Sequence, residues 1–296
     1  YQTEKEQINC TKCKVGRASF YVGRTNECDA CTKGRYQQAQ GTTKCLNCIP
    51  GTYQSEEQQT KCKVCGVGTA SSNVTRQIDC DACTKGRYQH KKGTTDCLNC
   101  IPGTFQSKEQ QTKCIVCNVG RASSKVARDT NCDNCTKGRH QPINGSTSCL
   151  NCIPGTYQSE EQQSDCIECK KNMYTKTTEQ VTCKHCATGK YTEGTGYTLC
   201  EKCGAGKFGV PTGEVRCESC PTGWFRKPSE EILTRCKMCD LGENTEDKTG
   251  SAACSSCELG RYGSESGICT NCPKGFYQDP IDYFQDERKQ IKCKLC

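Results

Sequence analysis

Cysteine is the residue type in this chain that is best suited to redox, metal-binding or cross-linking chemistry, and its placement is regular. All 34 cysteines occur in seventeen Cys-x-x-Cys doublets, from Cys10/Cys13 to Cys293/Cys296. Most doublets begin 17 or 18 residues after the previous one. A doublet of this kind can be a redox dithiol, half of a zinc site or part of a disulfide framework. Each of these chemistries needs different surroundings.

A redox dithiol is disfavoured by the sequence around the doublets. Thioredoxin-like chemistry needs a βαβ setting and a helix N-terminus that lowers the pKa of one thiol. No stretch of 11 residues in this chain has helical periodicity, and Gly, Thr, Ser, Gln and Asn dominate between the doublets. Seventeen redox centres in one chain would also serve no purpose.

Structural zinc is disfavoured by the uniform spacing. Zinc ribbons use doublets in pairs, which predicts alternating ligand loops and linkers. Here the intervals are nearly constant, and the number of doublets is odd. The three histidines, His90, His140 and His185, occupy unrelated loop positions and are interpreted as solvated surface residues. We therefore predict no metal site and no cofactor.

A disulfide ladder fits the constant spacing, with the second cysteine of each doublet bonded to the first cysteine of the next. One closed loop of about 15 residues contributes about 3 kcal/mol in the chain-entropy description. Spacing alone does not determine connectivity, so the pairing is an inference. Two cysteines remain outside this scheme, Cys10 and Cys296, and we expect them to bond a continuation of the array or another copy of the chain. The inferred pairs are Cys13 with Cys28, Cys31 with Cys45, Cys48 with Cys62, Cys65 with Cys80, Cys83 with Cys97, Cys100 with Cys114, Cys117 with Cys132, Cys135 with Cys149, Cys152 with Cys166, Cys169 with Cys183, Cys186 with Cys200, Cys203 with Cys217, Cys220 with Cys236, Cys239 with Cys254, Cys257 with Cys269, and Cys272 with Cys293.

Composition supports a fold stabilised by cross-links. Leu, Ile, Val and Phe together make up only about one eighth of the 296 residues, a level typical of chains without a packed core. Cysteine, at about 11%, reaches the level of a disulfide scaffold. Disulfides persist outside the cell, at its surface or in the secretory lumen, which predicts an extracellular or cell-surface protein. No apolar run of about 18 residues predicts a membrane span in this segment.

Two nested periods organise the chain. Cys10, Cys62, Cys114 and Cys166 lie 52 residues apart, and each 52-residue block holds three kinds of loop in constant order. Residues 1–13 read as the C-terminal half of a preceding unit, so we expect the sequence to be a piece of a longer protein. Residues 13–165 form three blocks, residues 166–235 divergent loops of mostly 17-residue spacing, and residues 236–296 irregular terminal loops ending in a half-unit.

Glycine and an aromatic residue recur after each doublet. Glycine is the third residue in fifteen of the sixteen loops, and the exception is Asn172. Because asparagine also tolerates positive φ, this position is interpreted as a left-handed turn rather than a need for small volume. An aromatic residue follows two positions later in eleven loops, and we expect each ring to lie on the adjacent disulfide. The predicted fold is a small disulfide-rich, mostly irregular chain of short β-hairpins, an elongated solenoid-like rod of about 16 closed loops with almost no helix and no large core.

The repeated unit resembles a known family of extracellular modules. Segments such as CTKGRYQQAQGTTKCLNC (residues 31–48) and CIPGTYQSEEQQTKCKVC (residues 48–65) are similar to the first submodule of tumour-necrosis-factor-receptor cysteine-rich repeats and to the cysteine-rich region of ephrin receptors. In that family the submodule is a small hairpin closed by one disulfide, which supports the ladder. The second, interlocked submodule of true receptors is missing. Long runs of this submodule look like those in surface and fibre proteins of unicellular eukaryotes.

The remaining motifs concern the surface. Asn-x-Ser/Thr acceptors at Asn73 and Asn144, with weaker candidates at Asn9 and Asn134, predict a glycoprotein. The net charge of +8 arises from 41 basic and 33 acidic residues that are interspersed, which argues against nucleic-acid binding. No catalytic constellation is present, so no catalytic residue and no enzyme activity are predicted. The predicted function is a structural segment of a secreted filament that associates with copies of itself, and the alternative is a ligand-binding or adhesive receptor ectodomain.

Overall fold

The structure is a computed structural model that describes residues 1–3, 9–210, 216–229, 231, 233–278 and 292–296. In these residues all regular structure is β, arranged as antiparallel two-stranded hairpins that follow one another along the chain. The described segments contain no helix, and so none with the length and hydrophobicity needed to cross a membrane. The predicted fold class, tandem disulfide-closed hairpins without a large core, is confirmed.

Successive strands pair in order, β1 with β2, β3 with β4 and so on to β31 with β32. The strands are β1 (Arg17–Ala18), β2 (Asp29–Ala30), β3 (Arg35–Tyr36), β4 (Leu46–Asn47), β5 (Thr52–Tyr53), β6 (Lys63–Val64), β7 (Thr69–Ala70), β8 (Asp81–Ala82), β9 (Arg87–Tyr88), β10 (Leu98–Asn99), β11 (Thr104–Phe105), β12 (Ile115–Val116), β13 (Arg121–Ala122), β14 (Asp133–Asn134), β15 (Arg139–His140), β16 (Leu150–Asn151), β17 (Thr156–Tyr157), β18 (Ile167–Glu168), β19 (Met173–Tyr174), β20 (Lys184–His185), β21 (Lys190–Tyr191), β22 (Glu201–Lys202), β23 (Lys207–Gly209), β24 (Cys217–Ser219), β25 (Trp224–Phe225), β26 (Lys237–Met238), β27 (Glu243–Asn244), β28 (Ser255–Ser256), β29 (Arg261–Glu265), β30 (Ile268–Asn271), β31 (Phe276–Tyr277) and β32 (Lys294–Leu295).

Each hairpin consists of a tight turn and a doublet. In the first hairpin the N–H of Arg17 donates to the carbonyl of Lys14 at 3.1 Å, and Gly16 at the third turn position has φ +75°. A type II turn requires positive φ at that position, which explains the recurring glycine. The strand that follows the turn pairs with the two residues inside the next doublet. The N–H of Cys31 then donates to the Gly16 carbonyl at 2.9 Å and closes the hairpin.

We call the segment from the second cysteine of one doublet to the first cysteine of the next a module, numbered 1 (Cys13–Cys28) to 16 (Cys272–Cys293). The chain forms two compact units. The first comprises Tyr1–Thr136, His140–Leu150 and Glu161–Asp165, and the second comprises Lys137–Arg139, Asn151–Glu160 and Cys166–Cys296.

The interior of the modules is made of sulfur and polar side chains. In modules 2 to 10 the second cysteine of each doublet is at most 1% exposed, whereas the large aliphatic residues are mostly at the surface. Phe105, at 8% exposed, is a rare buried ring. In modules 2 to 10 the disulfide is therefore the centre of a small core, as expected for a chain with too few apolar residues to bury.

The recurring glycine has two roles, and one of them differs from the sequence interpretation. Asn172 has φ +64°, so the left-handed backbone is confirmed at the one non-glycine position. A Cβ atom on Gly34, however, would lie 2.2 Å from the backbone oxygen of Thr75, and one on Gly86 would lie 2.1 Å from that of Ala127. The interpretation that small volume is not needed is therefore wrong for modules approached by the module two positions later along the chain.

Candidate functional site

The sulfur chemistry of the described residues consists of sixteen disulfides that link consecutive doublets. They run from Cys13–Cys28 to Cys272–Cys293, each joining the second cysteine of one doublet to the first of the next, with Cα–Cα distances of 5.6–5.9 Å. The two cysteines of one doublet thus belong to different bonds. Sulfur atoms bonded in this way act neither as thiolate ligands nor as a Cys-x-x-Cys redox pair.

The joints between consecutive modules are made of backbone hydrogen bonds. The N–H of Gly34 in module 2 donates to the carbonyl of Gln54 in module 3 at 2.8 Å. The N–H of Gln37 in module 2 donates to the carbonyl of Gln59 in module 3 at 3.0 Å. The same two bonds recur between modules 5 and 6, from Gly86 to Gln106 and from Gln89 to Gln111, and between modules 3 and 4, from Gly51 to Ser71 and from Gln54 to Arg76.

A third contact comes from the loop tip, as module 3 shows. Gln58 at the tip of module 3 has φ +58°, and its N–H donates to the carbonyl of Cys31 in module 2 at 2.8 Å. Its own carbonyl lies over Gly16 in module 1, where a Cβ atom would be 2.2 Å away. A module therefore contacts both the module before it and the one before that.

A buried polar side chain occupies the third position after the recurring glycine. Gln54 is 1% exposed, and its amide nitrogen donates to the carbonyl of Lys61 at 2.8 Å while its amide oxygen accepts from the N–H of Glu56 at 3.1 Å. The amide thus ties the tip of its own loop to the residue before the next doublet. The equivalent buried glutamines are Gln37, Gln89, Gln106, Gln141 and Gln158; in other modules the position holds the buried residues Ser71, Ser123, Thr175, Thr192, Arg226 and Thr245, and Gly209 has no side chain there.

Sequence reasoning gave this position no role, although the signal was present. The motifs TKGRYQ and IPGTYQ end in the glutamine that the structure buries. Glutamine is usually exposed, so composition alone places it at the surface. A buried amide is stable only with its donors and acceptors satisfied, and leaving one unsatisfied costs about 1–3 kcal/mol.

An arginine organises the first loop of each 52-residue block, and its side chain is buried in the second and third blocks, whereas that of Arg24 in the first block is 22% exposed. Arg128 has a side chain that is 8% exposed, and its guanidinium donates to both carboxylate oxygens of Asp133 at 2.6 and 2.9 Å and to the carbonyl of Asn131. This hydrogen bonding lowers the pKa of Asp133. The same pairs form one and two blocks earlier, between Arg76 and Asp81 and between Arg24 and Asp29. The 52-residue spacing of these arginine–aspartate pairs is visible in the sequence and could have predicted them.

One aromatic position, that of Phe105, confirms the prediction that the ring lies on an adjacent disulfide. Phe105 packs with Cys117 and Cys132, the disulfide of the following module. Tyr53 reaches Asp79, and burial together with this carboxylate raises the pKa of its hydroxyl. Tyr277 differs, because it is 44% exposed.

The predicted surface residues are distributed over the array and do not converge. His90 is exposed and stacks on Tyr88, and His185 is also exposed, whereas His140 is half-buried rather than solvated. The glycan acceptors Asn9, Asn73, Asn134 and Asn144 are all exposed. The Asn144 side-chain oxygen accepts a hydrogen bond from the N–H of Val119 at 2.8 Å. Among the described residues, Cys10 and Cys296 are exposed and have no disulfide partner.

The comparisons with known proteins agree with the module geometry. A family described as tyrosine-protein kinase ephrin type A/B receptor-like matches residues 144–179. No curated protein matches the chain. Together with the sixteen hairpins, the match shows that the modules are cysteine-rich repeats resembling those of ephrin and tumour-necrosis-factor receptors.

Several broad conclusions follow from the repeats and their bonds. Extensive disulfide bonding and an ephrin-receptor-like module indicate an extracellular or cell-surface protein. They also indicate a structural or binding module rather than a catalytic one. The described residues therefore offer two features for function: the repeated joint between modules and the surfaces of the loops.

Proposed function

We propose that this chain is a structural segment of a secreted, glycosylated extracellular filament. The observation that carries the proposal is the recurrence of the same backbone bonds from one module to the next, as from Gly34 to Gln54 and from Gly86 to Gln106. Structures of this type extend by adding units, because each unit contacts only its near neighbours along the chain. Their stability is then set by the joints rather than by a common core.

The two sides of a joint are different, which favours growth in one direction. One module offers the N–H groups of its glycine and of the residue three positions later, and the following module offers carbonyls. Head-to-tail contacts of this kind generate open arrays unless a rotation closes them into a ring. In the proposed filament the same kind of joint also connects the last module of one chain to the first module of the next.

We further propose that Cys10 and Cys296 carry disulfides outside the described pairs, either to a continuation of the array or to another copy of the chain. Both thiols are exposed, so a partner can reach them. N-glycans at Asn73 and Asn144, and more weakly at Asn9 and Asn134, would cover modules that have little interior. The exposure of all four asparagines supports this part of the proposal.

Electron microscopy of the full oxidised chain tests the filament. Expected are polymers with a constant axial repeat, which shorten when Cys10→Ser and Cys296→Ser are introduced together. A matched control is the Ser72→Ala variant, whose side chain is exposed and distant in sequence from both thiols. Single particles of one length at every concentration would contradict the filament.

The second candidate is a ligand-binding or adhesive ectodomain of a cell-surface receptor. The match of residues 144–179 to ephrin-receptor-like modules specifically favours it. In that case the loops contact a protein partner, and the chain stays monodisperse in the same microscopy experiment. Capture of a cell-surface protein that depends on the loops of modules 8 to 10 would support it.

A further inference from the structure

Positive charge is concentrated in one short part of the chain. Residues 169–207 contain seven lysines and three glutamates and no arginine or aspartate, so they account for +4 of the net charge of +8. Within this segment Lys190 of β21 lies directly opposite Lys202 of β22. Like charges opposite each other destabilise a hairpin, and at other strand positions a cation faces a neutral residue, as Arg87 faces Asn99.

A cleft of about 740 Å³ lies in this basic region, within the second compact unit. Its lining includes Lys171, His185, Lys207 and Arg216, together with Tyr191 and Glu193. The volume falls in the range of small-ligand sites in proteins. Among the described lining residues there is no Leu, Ile, Val, Met or Phe, so an apolar peptide or lipid tail would find little to contact.

The cations of the cleft are only partly neutralised by the protein. Arg216 pairs with Glu218 at 2.7 Å, and Glu193 adds a negative charge to the lining. Lys171 and Lys207 make no ion pair within the part of the chain that the structure describes, and both are exposed. Clustered cations in a concave site attract anions more strongly than the same charges spread over a flat surface.

We propose that this cleft binds an acidic polysaccharide, with Lys171, Lys207 and Arg216 contacting carboxylate or sulfate groups and Tyr191 lying against a sugar ring. Tyrosine presents an apolar face and a polar edge, which suits a sugar. Lysine binds anions as a point charge without demanding one geometry, which suits a polymer with repeated charges. The extracellular setting of a disulfide-rich chain favours polysaccharide over nucleic acid as the polyanion.

The experiment measures binding of the full oxidised chain to heparin and to polygalacturonate, which supply sulfate and carboxylate respectively, with uncharged dextran as reference. The variant Lys171→Glu, Lys207→Glu, Arg216→Glu should weaken binding by at least about tenfold, since three charge contacts are reversed. The control variant Lys33→Glu, Lys85→Glu, Lys108→Glu has the same net charge, and its substituted side chains are exposed in the first unit. It should lose far less affinity.

A Tyr191→Leu variant separates the sugar contact from charge. It should weaken binding to both polysaccharides at unchanged net charge and leave the disulfide map intact. If the cleft variant misfolds, the neutral pair Lys171→Gln and Lys207→Gln replaces it, with an expected loss of several-fold.

Three results would overturn the proposal. The first is equal loss of binding in the cleft and control variants, which would indicate only a general charge effect. The second is binding to dextran as strong as to the acidic polymers. The third is cleft-dependent binding of polyglutamate or single-stranded DNA without binding of either polysaccharide, which would identify another class of polyanion.

Discussion

Replacement of Gly86 by alanine is the most direct test of the contact between a module and the one two positions later. Gly86 has φ +79°, and a Cβ atom there would lie 2.1 Å from the backbone oxygen of Ala127. Gly260 is the matched control, because it occupies the same place in its module with φ +83°, yet nothing lies within 4 Å of its Cβ position. Both variants impose the same backbone strain, and only one imposes a clash.

The magnitudes can be worked out from these two environments. Alanine at positive φ costs about 1–2 kcal/mol, which is the whole expected effect for Gly260→Ala. For Gly86→Ala the clashing atom is backbone, so the loop of module 7 must move away. That movement breaks the bond from the Ala127 N–H to the Cys100 carbonyl and weakens the bond from Gly86 to Gln106. At about 1 kcal/mol for each bond, the total reaches about 3–4 kcal/mol.

Hydrogen exchange is the suitable assay, because a ladder of disulfides resists global unfolding. In Gly86→Ala the amides of Ala127 and of position 86, which are the donors of these two bonds, should exchange about two to three orders of magnitude faster than in the parent chain. In Gly260→Ala the acceleration should be about tenfold and limited to the neighbouring hairpin. Equal effects in the two variants would refute the close approach between modules two apart.

Three further predictions concern other features. Gln37→Leu should destabilise module 2 by about 1–3 kcal/mol in local hydrogen exchange, because backbone groups lose their partners, whereas Gln38→Leu next to it is exposed and should be neutral. Because the folded pKa of Asp133 is lowered, its contribution to stability is present at neutral pH and is lost as the pH falls below about 4, so Asp133→Asn should make the local stability of module 7, read by hydrogen exchange, less dependent on acid pH. Alkylation without reduction, read by mass spectrometry, should label no cysteine other than Cys10 and Cys296, and labelling at any other cysteine would contradict the ladder.

The sequence predicted the modules well because their determinants are local. Doublet spacing indicated loops closed by sulfur, and the glycine and Asn172 indicated a left-handed turn, which their φ values bear out. Phe105 on a disulfide could be expected from the short distance along the chain. These features all depend on residues within one loop or its immediate neighbour.

The contacts between modules could not be predicted in the same way. The approach of Gly34 to Thr75 joins residues 41 positions apart, and it depends on how far each module advances and turns relative to the last. Periodicity in the sequence gives the length of the repeat, but it does not give the rotation between one module and the next. The burial of Gln54 could not be predicted either, because composition places a glutamine in water, whereas this amide bonds to Lys61 and Glu56 within its own loop.

The placement of each disulfide across one loop makes the chain hard to separate into fragments by proteolysis. A protease that cleaves between Cys31 and Cys45 leaves both fragments joined by sulfur, and the same holds inside every other described module. Between Cys13 and Cys293 only the two residues within each doublet lie outside such a ring, and these residues belong to the second strand of a hairpin. A protease needs an extended, unpaired substrate. The residues within a doublet, which no disulfide ring encloses, are therefore poor substrates because they are already paired in a strand. Digestion should therefore nick the array widely while its fragments separate only after reduction.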